Sequence, residues 1–242
     1  MNSFDFAKFG DMRQKIVLDL GAGSGRHSVE ALLAGAVVIA FELDVMALTE
    51  LKENVMTAAD YVGQDRSEIL GRLHLISGDA RALPFLADSF DVVILAEVLE
   101  HIVEDGLVIS QAERVTKCGG HMGVAVPRAF PELINWSLSK RYHAVSGGHI
   151  RIYRRSTLIR RLEYGSLKVE AWTHKHGLHS PYWWLKCLVG LEKNDSRIVI
   201  AAHNALVRQM MHEVPVLDRL DKALNPIIGK SLIIYVRKTT YR

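Results

Sequence analysis

The chain has 242 residues, 49% of them hydrophobic and 24% charged, with a formal net charge of +3. That length suits one domain, or one domain with an appended lid. The composition excludes a disordered, collagenous or coiled-coil chain, and the mild basicity does not by itself point to nucleic acid. Two cysteines, Cys118 and Cys187, far apart in sequence, fit a reducing cytoplasm and no disulfide framework. The longest apolar run, residues 31–41, falls short of the roughly 20 residues a membrane span needs. The first residues lack the basic and apolar regions of a signal peptide, so a cytoplasmic location is expected.

In chain order, short β-rich runs alternate with helix-compatible segments. Strands are expected at Ile16 to Leu20, Val37 to Phe41, Leu73 to Ile76 (interrupted by His74), Val92 to Leu95 and Met122 to Val126. Runs apolar on both faces suit parallel strands covered by helices. Helices are expected at Arg26 to Ala34, Ala47 to Asp60 and Gly106 to Thr116. The repeat of strand and helix predicts a doubly wound α/β fold with right-handed crossovers. Residues 128–164 read as basic and mostly helical, Leu167 to Thr173 as a strand, 175–229 as two or three helices, and Ser231 to Arg237 as a final strand.

Gly21-Ala22-Gly23-Ser24-Gly25 ends the first strand and opens a helix, where glycines permit a tight turn and close approach to a ligand. The spacing is G-x-G-x-G, and Arg26 occupies the last position of a dinucleotide fingerprint. Glu42, at the end of the second strand, is placed to accept from ribose hydroxyls. Asp79, in Ser77-Gly78-Asp79-Ala80 after the third strand, is placed to accept from an adenine amino group. All three elements lie at the C-terminal ends of strands, where ligands bind in such sheets.

These motifs, with Phe90-Asp91-Val92-Val93-Ile94-Leu95-Ala96-Glu97, resemble those of class I S-adenosylmethionine-dependent methyltransferases. Ala82-Leu83-Pro84-Phe85 and Asp88-Ser89-Phe90-Asp91 are similar to the small-molecule branch that contains the quinone-biosynthesis methyltransferases. The resemblance covers residues 15–127 well and the rest in outline. It implies a Rossmann-like seven-stranded sheet in the order 3-2-1-4-5-7-6, the last strand antiparallel, with helical insertions as a lid. It also implies roles at matched positions. Asp19, Gly21, Ala22, Gly23 and Gly25 surround the methionine part. Glu42, with Leu43 beside it, holds the ribose, Asp79 and Ala80 flank the adenine, and Ala96 and Glu97 lie under the sulfonium.

Glu97-Val98-Leu99-Glu100-His101 offers two carboxylates and an imidazole directly after a strand. With His149, these residues suit a divalent metal such as Mg²⁺, a set that resembles metal-dependent relatives among quinone O-methyltransferases and small-RNA 2′-hydroxyl methyltransferases. The metal-free alternative is His101 or His149 as general base. His174, His176 and His179 read as a pocket rim or surface before a zinc site.

The expected organisation is a single methyltransferase domain over 1–242. Residues 1–127 form the cofactor half, 128–229 an acceptor-side cover, and 230–242 the final strand and tail. The acid-free, arginine-rich interval between Glu132 and Glu163, with Tyr182, Trp183 and Trp184, tilts the expected acceptor toward an anionic or lipid-like small molecule. Peripheral membrane contact goes with that reading, and nucleic acid is disfavoured. O-methylation is the expected reaction. An RNA 2′-hydroxyl methyltransferase and a catalytically silent cofactor-binding partner subunit are the rivals.

Overall fold

The computed structural model describes residues 3–144, 148–193, 195–212 and 214–240. Seven strands form one sheet: β1 (Ile16–Leu20), β2 (Val37–Glu42), β3 (Leu73–Ser77), β4 (Phe90–Ala96), β5 (Thr116–Pro127), β6 (Leu167–Lys175) and β7 (Ser231–Lys238). Their order is β3-β2-β1-β4-β5-β7-β6. The pairings among β1 to β5 are parallel, and β7 runs antiparallel to both β5 and β6.

Alternation along the central strands feeds two cores. Val92 and Ile94 of β4, with Ile233 and Tyr235 of β7, face α1 (Arg26–Leu33) and α2 (Val45–Val62). Val93, Leu95, Leu232 and Ile234 face α4 (Asp105–Val115) and α7 (Arg155–Leu162). Asp44 caps α2 by accepting from Met46 N, and Gly63, in the left-handed region, ends it. Residues 66–71, for which the sequence suggested no element, form the short helix α3 (Arg66–Gly71), capped by Asp65. His74 does not interrupt β3, because this strand lies at the sheet edge and leaves His74 exposed.

The remaining helices are α5 (Ala129–Leu138), α6 (Lys140–Ala144), α8 (His179–Val189), α9 (Arg197–His212) and α10 (Pro215–Ile228). α5 and α6 follow the C-terminal end of β5, while α8 to α10 join the end of β6 to the start of β7. Because β7 is antiparallel, both excursions leave from the edge that carries the glycine loop. Of the described N-terminal residues, Ser3 reaches that edge, its Oγ 3.3 Å from His176 Nε2 just past the end of β6. Phe4 and Phe9 pack on the α1 face of the sheet, where a Cβ at Gly123 would meet each ring at 2.8 Å.

Candidate active site

A cleft of about 750 Å³ opens over the C-terminal ends of β1, β2 and β4. Of the residues expected to hold a cofactor, Gly21, Ala22, Gly23, Glu42, Leu43, Asp79, Ala80, Ala96 and Glu97 line it. Gly23 has φ of 51°, and a Cβ there would meet nothing within 4 Å. The loop thus leaves room at that point for a ligand to approach the backbone. The Glu42 carboxylate accepts from Gly23 N at 2.9 Å, Leu43 N at 2.7 Å and Asp44 N at 3.1 Å. Three backbone donors thus fix a charged acceptor at the cleft wall.

Two expected cofactor residues stand behind the wall. Asp19 is 2% exposed and accepts from Ser28 Oγ at 2.7 Å, which ties β1 to α1. Burial pushes its carboxyl up to about 6. Gly25 packs beneath the Leu51 side chain. Asp79 reaches the wall with its carboxylate engaged by Arg81, 2.6 Å away, and Arg81 also meets Glu104 at 3.2 Å. The Arg81 hydrogen bonds hold the Asp79 carboxyl below its usual range.

Beyond β4 comes a tight 3₁₀ turn, Leu99–His101. Segment 149–153 is fastened alongside it. Ile150 N donates to Glu100 O at 2.9 Å, Arg151 donates to Val103 O at 2.7 Å, and Tyr153 Oη lies 3.3 Å from Leu99 O. Buried Asp105 accepts from Tyr153 and pairs with Arg151 at 2.6 Å and with Arg161. This clamp brings the rings of His101 and His149 to a centroid separation of 5.0 Å.

One ligand atom each from Glu100, His101 and His149 lies within 4.8 Å of the others. Glu97, expected as a fourth ligand, is outside that group and accepts from Ser231 Oγ at 3.3 Å. Glu100 is fully buried, and neither of its carboxylate oxygens receives a donor from the described residues. Burial, with the charge of Glu97 added, raises its carboxyl well above the usual range.

His149 Nδ1 lies 2.6 Å from Glu132 Oε1. Glu132 is 1% exposed and also accepts from Trp136 Nε1, Asn135 Nδ2 and Tyr142 Oη. Burial works against ionisation of Glu132. The His149 contact and the Asn135 hydrogen bond outweigh it and hold the carboxyl low. With Nδ1 engaged, Nε2 is left without a hydrogen bond among the described residues. The sequence reading missed Glu132, which stood in it only as the boundary of an acid-free interval. No spacing rule links it to His149.

The arginine-rich interval is largely committed within the fold. Arg151 and Arg161 bind Asp105, Arg155 lies 3.9 Å from the Trp172 ring centroid, and Arg141 pairs with Glu192. His176 is buried, not on the surface, and lies 3.3 Å from Ser3 Oγ, with the His179 ring 5.5 Å away. Among the described residues, the three late histidines form no metal-binding group.

Residues 18–124 match the family described as a methyltransferase domain. The match, the sheet order and the cleft together support a class I S-adenosylmethionine-dependent methyltransferase. Within that class it resembles the quinone-biosynthesis enzymes. It is 26% identical over 203 residues to a demethylmenaquinone methyltransferase of Clavibacter sepedonicus, covering 82% of this chain and 76% of that protein. It is 30% identical over 133 residues to the ubiquinone/menaquinone biosynthesis C-methyltransferase UbiE of Vibrio vulnificus, covering 54% of this chain and 46% of that one. The chain thus spans about half the length of the second relative. An S-adenosylmethionine-dependent methyltransferase from Mesorhizobium loti shares the fold, with a TM-score of 0.58 at 16% identity, covering 96% of this chain and 94% of that one.

Proposed function

We propose that the chain methylates an oxygen of an amphiphilic or anionic small molecule in the cytoplasm, with His149 as the base. The observation that carries this reading is the Glu132–His149 contact at 2.6 Å, beside His101 and next to the cofactor cleft. The cleft fits S-adenosylmethionine: Glu42 offers a fixed carboxylate for ribose hydroxyls, and the space over Gly23 admits a close ligand. When bound, that molecule supplies a methyl group already activated on a sulfonium. The residues of the chain then have two tasks. The cleft and the helices over it align the acceptor oxygen with the methyl carbon. His149, its Nδ1 held by Glu132, takes the acceptor proton at Nε2 as the new O–C bond forms. The buried Glu132 carboxylate stabilises the imidazolium that results.

A divalent metal fits the same group through the donorless Glu100 carboxylate, with His101 and His149 as the other ligands. Two imidazoles suit a transition ion better than Mg²⁺. Such an ion supplies Lewis acidity toward the acceptor oxygen. Chelator treatment separates the two cases.

The names of the relatives favour a second reading, carbon methylation of a quinol ring. Removal of a phenolic proton by His149 serves that reaction too, by raising electron density at the ring carbon. The test is incubation with methyl-labelled S-adenosylmethionine and cell extract. Label is then fractionated into lipid, small-molecule and RNA pools, and the methylated atom is assigned by NMR. Label on oxygen in the lipid or small-molecule pool supports the proposal, and label on carbon supports the second reading. Label in RNA, or no transfer, overturns both.

A further inference from the structure

Val216, Leu220, Ala223 and Ile227 of α10 recur at the spacing that stacks side chains on one side of a helix, in a stripe about 16 Å long. All four are exposed, Val216 by 72%, Ile227 by 65% and Leu220 by 46%. The other exposed positions of the helix are Pro215, Pro226, Arg219 and Lys222. The solvent face of α10 is therefore apolar and cationic, with no acid and no neutral polar side chain. Both acids of the helix are turned inward: Asp221 is buried and accepts from Leu178 N at 2.9 Å, and half-buried Asp218 accepts from Gln209 Nε2 of α9 at 3.2 Å. α9, joined to α10 by that contact, has no acid in its sequence and exposes Arg197, Arg208, Ile198 and Ile200.

A helix at a protein surface ordinarily turns polar residues to water. An exposed apolar stripe flanked by cations suits a membrane interface instead, where apolar groups enter the acyl boundary and long cationic side chains stay with the headgroups. The charges select the occupant. A second copy of the chain would bring the same cations and no acid to meet them. An anionic lipid surface supplies the opposite charge along the whole face. No helix among the described residues is long and apolar enough to cross a membrane, and α10, with 14 residues, suits contact along its side. The arginine-rich interval plays no part in this surface, since Arg151 and Arg161 bind Asp105 and Arg155 lies on Trp172.

We propose that the solvent face of α10 docks on a lipid bilayer with an anionic surface. Val216, Leu220 and Ile227 enter the interface, and Arg219 and Lys222 meet the headgroup phosphates. The helix ends beside the cleft: three residues past Ile228, Ser231 Oγ donates to the cleft residue Glu97. Docking there brings the cleft to a source of amphiphilic molecules. The inference uses neither the assignment of His149 nor the identity of the acceptor, so it stands or falls apart from the proposed reaction.

The test is co-sedimentation of the whole chain with vesicles of phosphatidylcholine alone and of phosphatidylcholine mixed with phosphatidylglycerol. Wild-type protein is expected to bind the mixed vesicles at least tenfold more tightly, and added salt should weaken that binding. R219Q/K222Q should lose about tenfold or more of the affinity for mixed vesicles, at about fivefold for each cation removed. L220E/I227E should lose binding to both kinds of vesicle. L86E changes an equally exposed leucine before β4 and should bind as wild type does. All the substituted positions are exposed, and circular dichroism confirms that the variants are folded. Binding that survives L220E/I227E, a loss equally large in L86E, or equal binding to the two vesicle types overturns the proposal. Sedimentation velocity without lipid covers the protein alternatives. Self-association abolished by L220E/I227E, with no vesicle binding, assigns the face to a second copy and overturns the lipid assignment. Absence of both vesicle binding and self-association overturns it too.

Discussion

In residues 15–127 the ligand-facing groups are set by local backbone geometry. Gly23 takes a left-handed φ, and Glu42 is gripped by three amides within a few residues of strand ends. In residues 128–229 the proposed acceptor side is built by side chains that meet across long stretches of chain, Glu132 with His149 and Tyr142 with Trp183, and is tied back to Asp105 by Arg151 and Arg161. The first kind of site is a property of a turn and tolerates change elsewhere. The second exists only when several elements are docked together, so its parts should fail together.

The sharpest way to break this comparison is Gly23→Val. A Cβ there meets nothing in the protein itself, so the cost to the fold is the left-handed strain of about 1–2 kcal/mol. Cofactor affinity should nevertheless fall by roughly a hundredfold or more as the side chain fills the ligand's space. Calorimetry showing unchanged affinity would mean that the loop is only a turn.

Next in size is His149→Ala, which should lower kcat by about 10²–10⁴, the usual worth of a general base. Affinity for S-adenosylhomocysteine should stay put, because the two regions are built separately. Tyr142→Phe tests the interdependence of the second region, since it removes one hydrogen bond to Glu132 and spares the ring stacking on Trp183. A several-fold loss in kcat is expected, and a rate equal to wild type would argue that Glu132 needs no such support.

Glu42→Ala should weaken the cofactor about tenfold or more, since one charge-assisted hydrogen bond is worth roughly 1.5–3 kcal/mol. Calorimetry decides this too, and an equal dissociation constant would reduce Glu42 to a cap on its own loop.

The smallest expected effect concerns the seam between the regions. His27 of α1 packs on Phe4, and His176, near His179, lies against Ser3. Burial pushes these histidines down to about 3, 2 and 4 for His27, His176 and His179. As pH falls below the ordinary value of 6.5, the unfolded chain takes up protons that the folded chain refuses, so their contribution to stability declines toward pH 4. Asp19 and Glu30, raised by burial to about 6 and 7, act in the opposite sense, since the folded chain protonates them first. His179→Gln should therefore reduce the stability difference between pH 7.5 and pH 5 by about 1–2 kcal/mol. Urea melts at both values check this, and an unaltered difference would place the acid sensitivity elsewhere.

The same contrast explains what the sequence made readable. The first five strands and the helices between them follow from apolar runs and glycines acting over a few residues, and these were visible; the strand order came from the family resemblance. The burial of Asp19 was not readable, because a motif fixes an acid's position along a strand, but not which side of the loop its carboxylate faces. Glu132 was invisible because its significance arises only when α5 and the 149–153 segment converge. Which of the arginines are engaged was not readable, because Asp105, the buried partner of Arg151 and Arg161, lies on the far side of β5 in sequence. A run of cations is read as a surface until the acid that consumes it is found.

The antiparallel β7 has a consequence for how such a chain changes over time. Lys175 and Ser231 are direct partners in the sheet, yet the whole of α8 to α10 lies between them. Closing a loop costs free energy only logarithmically in its length, about 0.6 kcal/mol for each doubling. Helices inserted at that point can therefore be lengthened, shortened or exchanged with little penalty to the sheet or to the glycine loop. The hairpin works as a socket, in which the sheet and the glycine loop stay constant while the helices plugged into it can be replaced.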